Sequence, residues 1–463
     1  NEEITELDVR RCTELTKLSC RSNKIAKLDL RNCTKLIELD CQYNPLTELD
    51  LSNCRLLEKI TCSHTDITSL NVSGFSALLE LTCTYNPNMT ILNASNCPAL
   101  KQFWCYNNSL VKLDVSGCTA LNWLNCGQND LTELDVTSCT LLQRFNCCLN
   151  NLEAIDVSNN VYLKEFECYY NALYALDISR NIRLVYLDCN RNNLQTLDLT
   201  NNPDLAYLEC ERNKLSTLDL RSNHALVYLE CNNNSITTLD TLICPKLAVL
   251  LCDNNVEAKI NPDITNREID IDSTNFPDPV FREYVSSKFD EDGDGKLSPT
   301  EFSDFDTAYM DDLDNKGISS LKGIEYFIIL NTLECEGNNI EELDLSHCPL
   351  LDEVDCDKNK LTELDLSSNT MLWFVYCEEN SIGRLDLSDH TLLESIFCDD
   401  NKLTALDFSN CLLLERLYCS KNELTELKTA NCPALESLSC TNSKLTELDL
   451  SGSQRLDSLY CWD

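Results

Sequence analysis

L-T-K-L-S-C-R-S-N-K-I-A-K-L-D-L-R-N-C-T-K, residues 15–35, is one period of a pattern that fills most of this 463-residue chain. Its first half is L-x-x-L-x-C-x-x-N-x-[LI] and its second is x-x-L-D-L-x-x-C-x-x, so a period of 10 or 11 is nested within 21. The cysteine of the first half recurs at Cys20, Cys41, Cys62 and Cys83. After one inserted residue it runs from Cys105 to Cys252 in steps of 21, and again from Cys335 to Cys461. A strict period of this length means a short coil stacked many times, with equivalent residues becoming vertical neighbours.

Within the unit, Leu18-Ser19-Cys20 and Leu28-Asp29-Leu30 alternate apolar and polar residues and are bounded by Asn, Asp and Ser. That pattern reads as a short strand followed by a turn, twice per coil. The expected fold is a mainly β repeat solenoid, with two short parallel strands per 21-residue coil enclosing a narrow core. It is interrupted by a small α-helical, EF-hand-like module. The expected segments are a first array at 1–255, a helix-loop-helix cap and linker at 256–317, and a second array at 318–463.

The pattern resembles the leucine-rich repeat with cysteine in place of an inner leucine. It is most similar to the bacterial 21-residue class of nested half-repeats, internalin-like in a broad sense. The resemblance covers roughly 4–255 and 318–463 and implies an exported or cell-surface bacterial binding protein. Asn1 already stands within the repeat pattern, so a leader is expected to have been removed before it. No stretch approaches the length of an apolar transmembrane helix.

Cysteine in a repeat column is a small, soft core residue, and every coil has one, which argues against a catalytic or metal role. Equivalent Cβ atoms one coil apart stand about 4.8 Å from each other, beyond the usual disulfide span, so reduced thiols are expected. A second column alternates between cysteine (Cys33, Cys54, Cys97, Cys118, Cys139) and asparagine (Asn160, Asn181, Asn202, Asn223, Asn369). It reads as a turn position where either side chain caps backbone. A third column, Asn23, Asn44, Asn129, Asn150 and onward, is expected to bond turn amides between coils. Cys148 follows the ladder's Cys147 and should point outward.

The formal net charge is −39, which argues against nucleic acid or an anionic membrane as partner. The four histidines, His64, His224, His347 and His390, lie in different coils without a repeated partner, and no catalytic constellation, phosphate loop or zinc spacing is present. The chain reads as non-enzymatic.

Between the arrays, D-E-D-G-D-G-K-L-S-P-T-E at 290–301 matches the spacing of a calcium loop. Asp290, Asp292 and Asp294 fall at positions 1, 3 and 5, Gly295 at 6 and the Lys296 carbonyl at 7. Ser298 stands at 9 and a bidentate Glu301 at 12. Hard Ca²⁺ wants six to eight such oxygens. Val280, Phe281, Tyr284, Val285 and Phe289 recur at helical spacing before the loop, and Pro299 opens an exit helix through Phe302 and Phe305. A single loop of this kind, resembling the caps of bacterial leucine-rich surface proteins, reads as structural.

Function is expected on the outward positions of the first half-repeat. One column reads Trp123, Arg144, Glu165, Tyr186, Tyr207 and Tyr228. The column before the cysteine reads Trp104, Asn125, Asn146, Glu167, Asp188, Glu209 and Glu230. Tyr106 and Tyr169 lie just beyond the cysteine, and Trp373 and Tyr376 are expected on the same face of the second array. A contiguous row of solvent-facing aromatics beside carboxylates suits a protein or glycan ligand. The four-carboxylate row is self-repulsive, and screening, Arg191 with Arg212, or a cationic partner is expected to offset it. The alternative is a spacer without a ligand face: two rods of about 55 Å and 35 Å joined by a calcium site.

Overall fold

The computed structural model describes residues 3–254, 256–259, 268–298, 301 and 308–462. The expected exit helix at Pro299, Phe302 and Phe305 lies outside them. The chain divides into two compact units, Asn1–Pro262 and Asp263–Asp463.

The first unit is a parallel β-solenoid of leucine-rich-repeat type. Three-residue strands, one per coil, pair in order from Lys17–Ser19 to Val249–Leu251 and form a twelve-stranded sheet. Register follows the period, with Arg144 opposite Glu165, Phe145 opposite Phe166, and Asn146 opposite Glu167. After the first strand, the middle residue of each strand, such as Leu81, Phe103, Phe145 or Leu187, is buried and meets its counterparts one coil away. Burying such a side chain stabilises by roughly 1.5–3 kcal/mol. The backbone ladder continues past the strand, where Cys147 N donates to Glu167 O at 2.9 Å.

On the other side of the coil, the Leu-Asp-Leu half does not form the continuous second sheet expected. Among the described residues of the first unit, ladders run through Ser69–Asn71, Ile91–Asn93 and Lys112–Asp114 and between Thr238–Asp240 and Glu257–Lys259, with an isolated bridge at Leu7 and Leu28. Elsewhere adjacent coils share single bonds, such as Asn151 N to Leu131 O at 2.8 Å. The alternation reports which side chains turn inward, and Leu197 and Leu199 are buried without a ladder.

The asparagine column carries out the role read from the sequence. Asn150 Nδ2 donates to the carbonyls of Cys126, Cys147 and Cys148, and its Oδ1 accepts from Leu131 N at 3.0 Å. The mixed cysteine/asparagine column has one function in two chemistries. Cys118 Sγ donates to Ala94 O at 3.1 Å, and Asn181 Nδ2 to Val157 O at 3.0 Å, each reaching 24 residues back. All thirty cysteines are free thiols.

The second unit repeats this plan in an eight-stranded parallel sheet from Tyr309–Met310 to Ser458–Tyr460. An α-helix, Pro279–Phe289, precedes it in the chain. Asp278 caps that helix by accepting from Val280 N and Phe281 N, and Pro279 opens it without losing a needed N–H. Phe281, Val285 and Phe289 are its buried stripe, while Val280 is exposed. The other Asp278 oxygen accepts from Ser319 N and Oγ, both at 2.8 Å, tying the helix to the first irregular coil. Phe289 rests on Phe327 with ring centroids 5.1 Å apart. Gly323 has φ +106°, and a Cβ there would overlap the Phe276 ring, so the seat for this cap demands glycine.

Candidate functional site: an aromatic and acidic sheet face, and an acidic loop

On the first unit's sheet, Trp104 and Trp123 meet edge to face at 5.2 Å, and both are half-buried. The Arg144 guanidinium lies over Trp123 at 5.3 Å and pairs with Glu165 at 3.1 Å. Then come three tyrosines stacked flat. Tyr186 and Tyr207 are 4.6 Å apart, and Tyr207 and Tyr228 are 4.3 Å apart. The strand spacing is close to ring-stacking distance, so each tyrosine covers its neighbour's face.

Four sequence expectations are corrected here. Tyr207 and Tyr228 are not solvent-facing: they are 8 % and 6 % exposed, because the stack covers their rings. Trp373 is 3 % exposed, since it falls one residue before the strand Phe374–Tyr376, in a column whose first-unit members Gln143, Lys164 and Val185 are also buried. Cys148 is buried beside Gly127, where a Cβ would stand 2.9 Å from its Sγ. Burial there pushes its thiol up to about 11, with Tyr169 alongside. Finally, Arg191 and Arg212 do not face the acidic row. Both approach Glu211, at 3.8 Å and 3.7 Å. Trp104, Tyr106, Trp123, Tyr169, Tyr186 and Tyr376 remain partly accessible.

Glu167, Asp188, Glu209 and Glu230 lie on consecutive strands in register. Tyr207 Oη donates to Glu209 Oε1 at 2.5 Å and Tyr228 Oη to Glu230 Oε2 at 3.3 Å. Burial, then the Glu209 charge, raises Glu230 to about 7. Burial likewise raises Glu167 and Asp188 well above the usual carboxylate range, with Glu165 and Glu209 respectively adding repulsion.

The second unit's face has its own stack, Tyr376, Phe397 and Tyr418, each pair 4.9 Å apart. Beside it burial raises Asp355 to about 6 and Asp357 to about 7. Tyr460 and Trp462 are exposed near the chain end.

A feature the sequence reading missed is a column of left-handed backbone just before the conserved-period asparagine. Tyr43, His64 and Tyr85 each have φ 54°, the other non-glycine members of the column lie between 48° and 57°, and Gly337 has φ 68°. Stacking joins His64 to Tyr43 at 4.3 Å and to Tyr85 at 4.6 Å. The signal available was weak, an occasional Asn or Gly at this position (Asn107, Asn233, Gly337, Asn442).

In the 290–301 loop, the carboxylate oxygens of Asp290, Asp292 and Asp294 lie within 4.8 Å of one another. Asp290 accepts from Asp294 N and Gly295 N at 3.1 Å, and Asp294 accepts from Lys296 N at 2.9 Å. Glu301 folds back across the loop, accepting from Glu291 N at 3.0 Å and Ser298 N at 2.7 Å. Gly295 has φ +83°. Lys296–Leu297 pairs antiparallel with Ile269–Asp270, so an extended segment occupies the edge that a second loop of this kind would cover. The three clustered carboxylates, with Glu301 reaching back across the loop, present oxygen atoms of the kind a hard cation takes.

No family model matches the chain, and no curated protein matches it. Among solved structures it is similar to the functional domain of InlJ from Listeria monocytogenes, which includes a cysteine ladder. Identity there is 27 %, covering 89 % of this chain and 70 % of that one, with a TM-score of 0.43. YopM from Yersinia enterocolitica shares 20 % identity over 98 % of this chain and 93 % of that one, TM-score 0.41. A leucine-rich repeat protein of Leptospira interrogans shares 16 % over 99 % of both, TM-score 0.33. At these TM-scores the likenesses add nothing to the repeat geometry above. Among the described residues no helix is long and apolar enough to cross a membrane.

Proposed function

We propose that this chain is a non-enzymatic binding protein, exported or displayed at a bacterial cell surface, which engages a protein or glycan ligand through the first unit's sheet face. The observation that carries this reading is a single sheet face along which the half-buried Trp104–Trp123 pair, the stacked Tyr186, Tyr207 and Tyr228, and the carboxylates Glu209 and Glu230 follow one another. Partly accessible indoles on the same face as carboxylates that already accept from tyrosine hydroxyls suit a partner offering both apolar surface and donors. The histidines support a non-catalytic reading. His64 is stacked between tyrosines, and His224 and His390 bond backbone carbonyls of Ile243 and Leu366. Pull-down from bacterial and host extracts, with a glycan array, tests the reading. Trp104→Ala, Trp123→Ala and Glu209→Gln are expected to lose capture, while Asp156→Asn and Asp177→Asn on the opposite side keep it. Equal capture by both sets would overturn it.

The 290–301 loop is proposed to hold one structural Ca²⁺ through Asp290, Asp292, Asp294, the Lys296 carbonyl, Ser298 and Glu301. The ion would neutralise the clustered carboxylates and stiffen the helix-bearing cap. Calcium is expected to raise the melting temperature of the chain, and Glu301→Gln to remove that response. A melting curve indifferent to calcium and chelator would rule the site out.

A further inference from the structure

The acidic row of the first unit is held by hydrogen bonds from neutral groups, Tyr207, Tyr228 and Asn190 among them, and a buried acceptor within it has no donor. Asn190 sits in its midst, 8 % exposed. Its backbone N donates to Asp188 Oδ1 at 3.0 Å, its Nδ2 donates to Glu209 Oε2 at 2.9 Å, and its Oδ1 has no partner. The nearby guanidinium groups are directed elsewhere, Arg144 to Glu165 and Arg191 and Arg212 to Glu211. A buried acceptor without a donor costs roughly 1–3 kcal/mol, and here it stands among carboxylates. The missing group is a multivalent donor with positive charge.

We propose that the row Glu167, Asp188, Glu209 and Glu230 receives the arginine or lysine side chains of an extended basic segment of a partner protein, spaced three residues apart. This rests on the binding reading above and names the chemistry of the ligand for that face. The spacing follows from the fold. Strands one coil apart lie about 4.8 Å from each other, so alternate carboxylates, Glu167 to Glu209 or Asp188 to Glu230, lie about 9.6 Å apart. A polyproline II segment advances about 9.3 Å in three residues, whereas two residues of β-strand advance only about 6.6 Å. The tyrosine faces are occupied by one another, so a guanidinium engages the carboxylates edge-on, through paired N–H···O bonds. Asn190 Oδ1 takes a further N–H. The net charge of −39 draws such a segment in.

Isothermal titration of the full chain with two twelve-residue peptides tests this. One repeats Arg-Pro-Pro, and the other has the same composition with all its arginines at one end. The proposal expects the repeating peptide to bind about tenfold or more tightly than its isomer. Glu209→Gln with Glu230→Gln should abolish that preference, and Asp156→Asn with Asp177→Asn should leave it intact. Equal binding of the two peptides by the wild-type chain, a comparison that needs no variant, would overturn it, as would equal losses in both double variants. If neither peptide binds but Glu209→Gln still abolishes capture from extracts, this inference fails and the binding reading stands. If Glu209→Gln affects neither, both fail.

Discussion

Asn150 and Asn181 are the same amino acid in two columns, and their surroundings give opposite expectations for one substitution. Asn150 uses both ends of its amide, with three donor contacts and one accepted bond. Replacing it with cysteine leaves Leu131 N and buried carbonyls unsatisfied, and is expected to cost roughly 2–4 kcal/mol in urea unfolding. Asn181 donates to Val157 O and Asn160 O, but its buried Oδ1 has no protein partner. Cysteine fills that column in other coils with the same long-range donor contact. Asn181→Cys is therefore expected to fall within about 1 kcal/mol of the parent. Equal costs at the two sites would contradict this division of roles. Gln128 sits at φ 53°, where asparagine is tolerated better. Gln128→Asn is expected to stabilise by roughly 0.5–1 kcal/mol in the same measurement.

At the scale of the element, the repeat made columns legible, but not how deeply each column is covered. Cys147 and Asn150 could be assigned from spacing alone because their roles depend on the coil above and below. Tyr207 and Tyr228 could not. Alternation places them outward, and only their flat stacking at coil spacing covers them. Trp373 was misplaced by one residue, and on a period-2 element one residue reverses the face. The Leu-Asp-Leu halves show the complementary limit, since alternation fixes burial and does not require pairing. The loop at 290–301 was read from the spacing of its oxygens. Its edge partner at Ile269–Asp270 was not, because that segment carries no repeat or motif. The cap offers a direct test. Gly323→Ala forces a Cβ into the Phe276 ring from a left-handed backbone, and is expected to destabilise the second unit by more than about 2 kcal/mol. Unchanged hydrogen exchange at 279–289 in that variant would show that the helix does not depend on this seat.

For the whole molecule, the acidity has two kinds of carboxyl with opposite pH behaviour. Exposed Asp8 and Asp29 are lowered to about 2 by hydrogen bonds from the arginine two residues on, so their contribution is present above the ordinary value of 3.8 and fades as pH falls toward 2. Being exposed, they contribute little. Glu230, Asp355 and Asp357 are raised by burial to about 7, 6 and 7. The folded state holds their protons more tightly than the unfolded chain, so their contribution is greatest below pH 4 and declines as pH rises to 7. Thermal stability is therefore expected to peak near about pH 5 and fall toward pH 8, and Glu230→Gln with Asp357→Asn should flatten that decline. In a solenoid each coil touches only its neighbours, so these effects add locally along each unit.

The central claim is that the first unit's strand face, and not the Leu-Asp-Leu side, meets the ligand. Hydrogen–deuterium exchange of the chain, alone and with the ligand it captures, addresses this most directly. Slowed exchange is expected along 102–106, 123–127, 186–190, 207–211 and 228–232. Slowing confined to the Leu-Asp-Leu segments at 155–157, 176–178 and 197–199 would contradict the account.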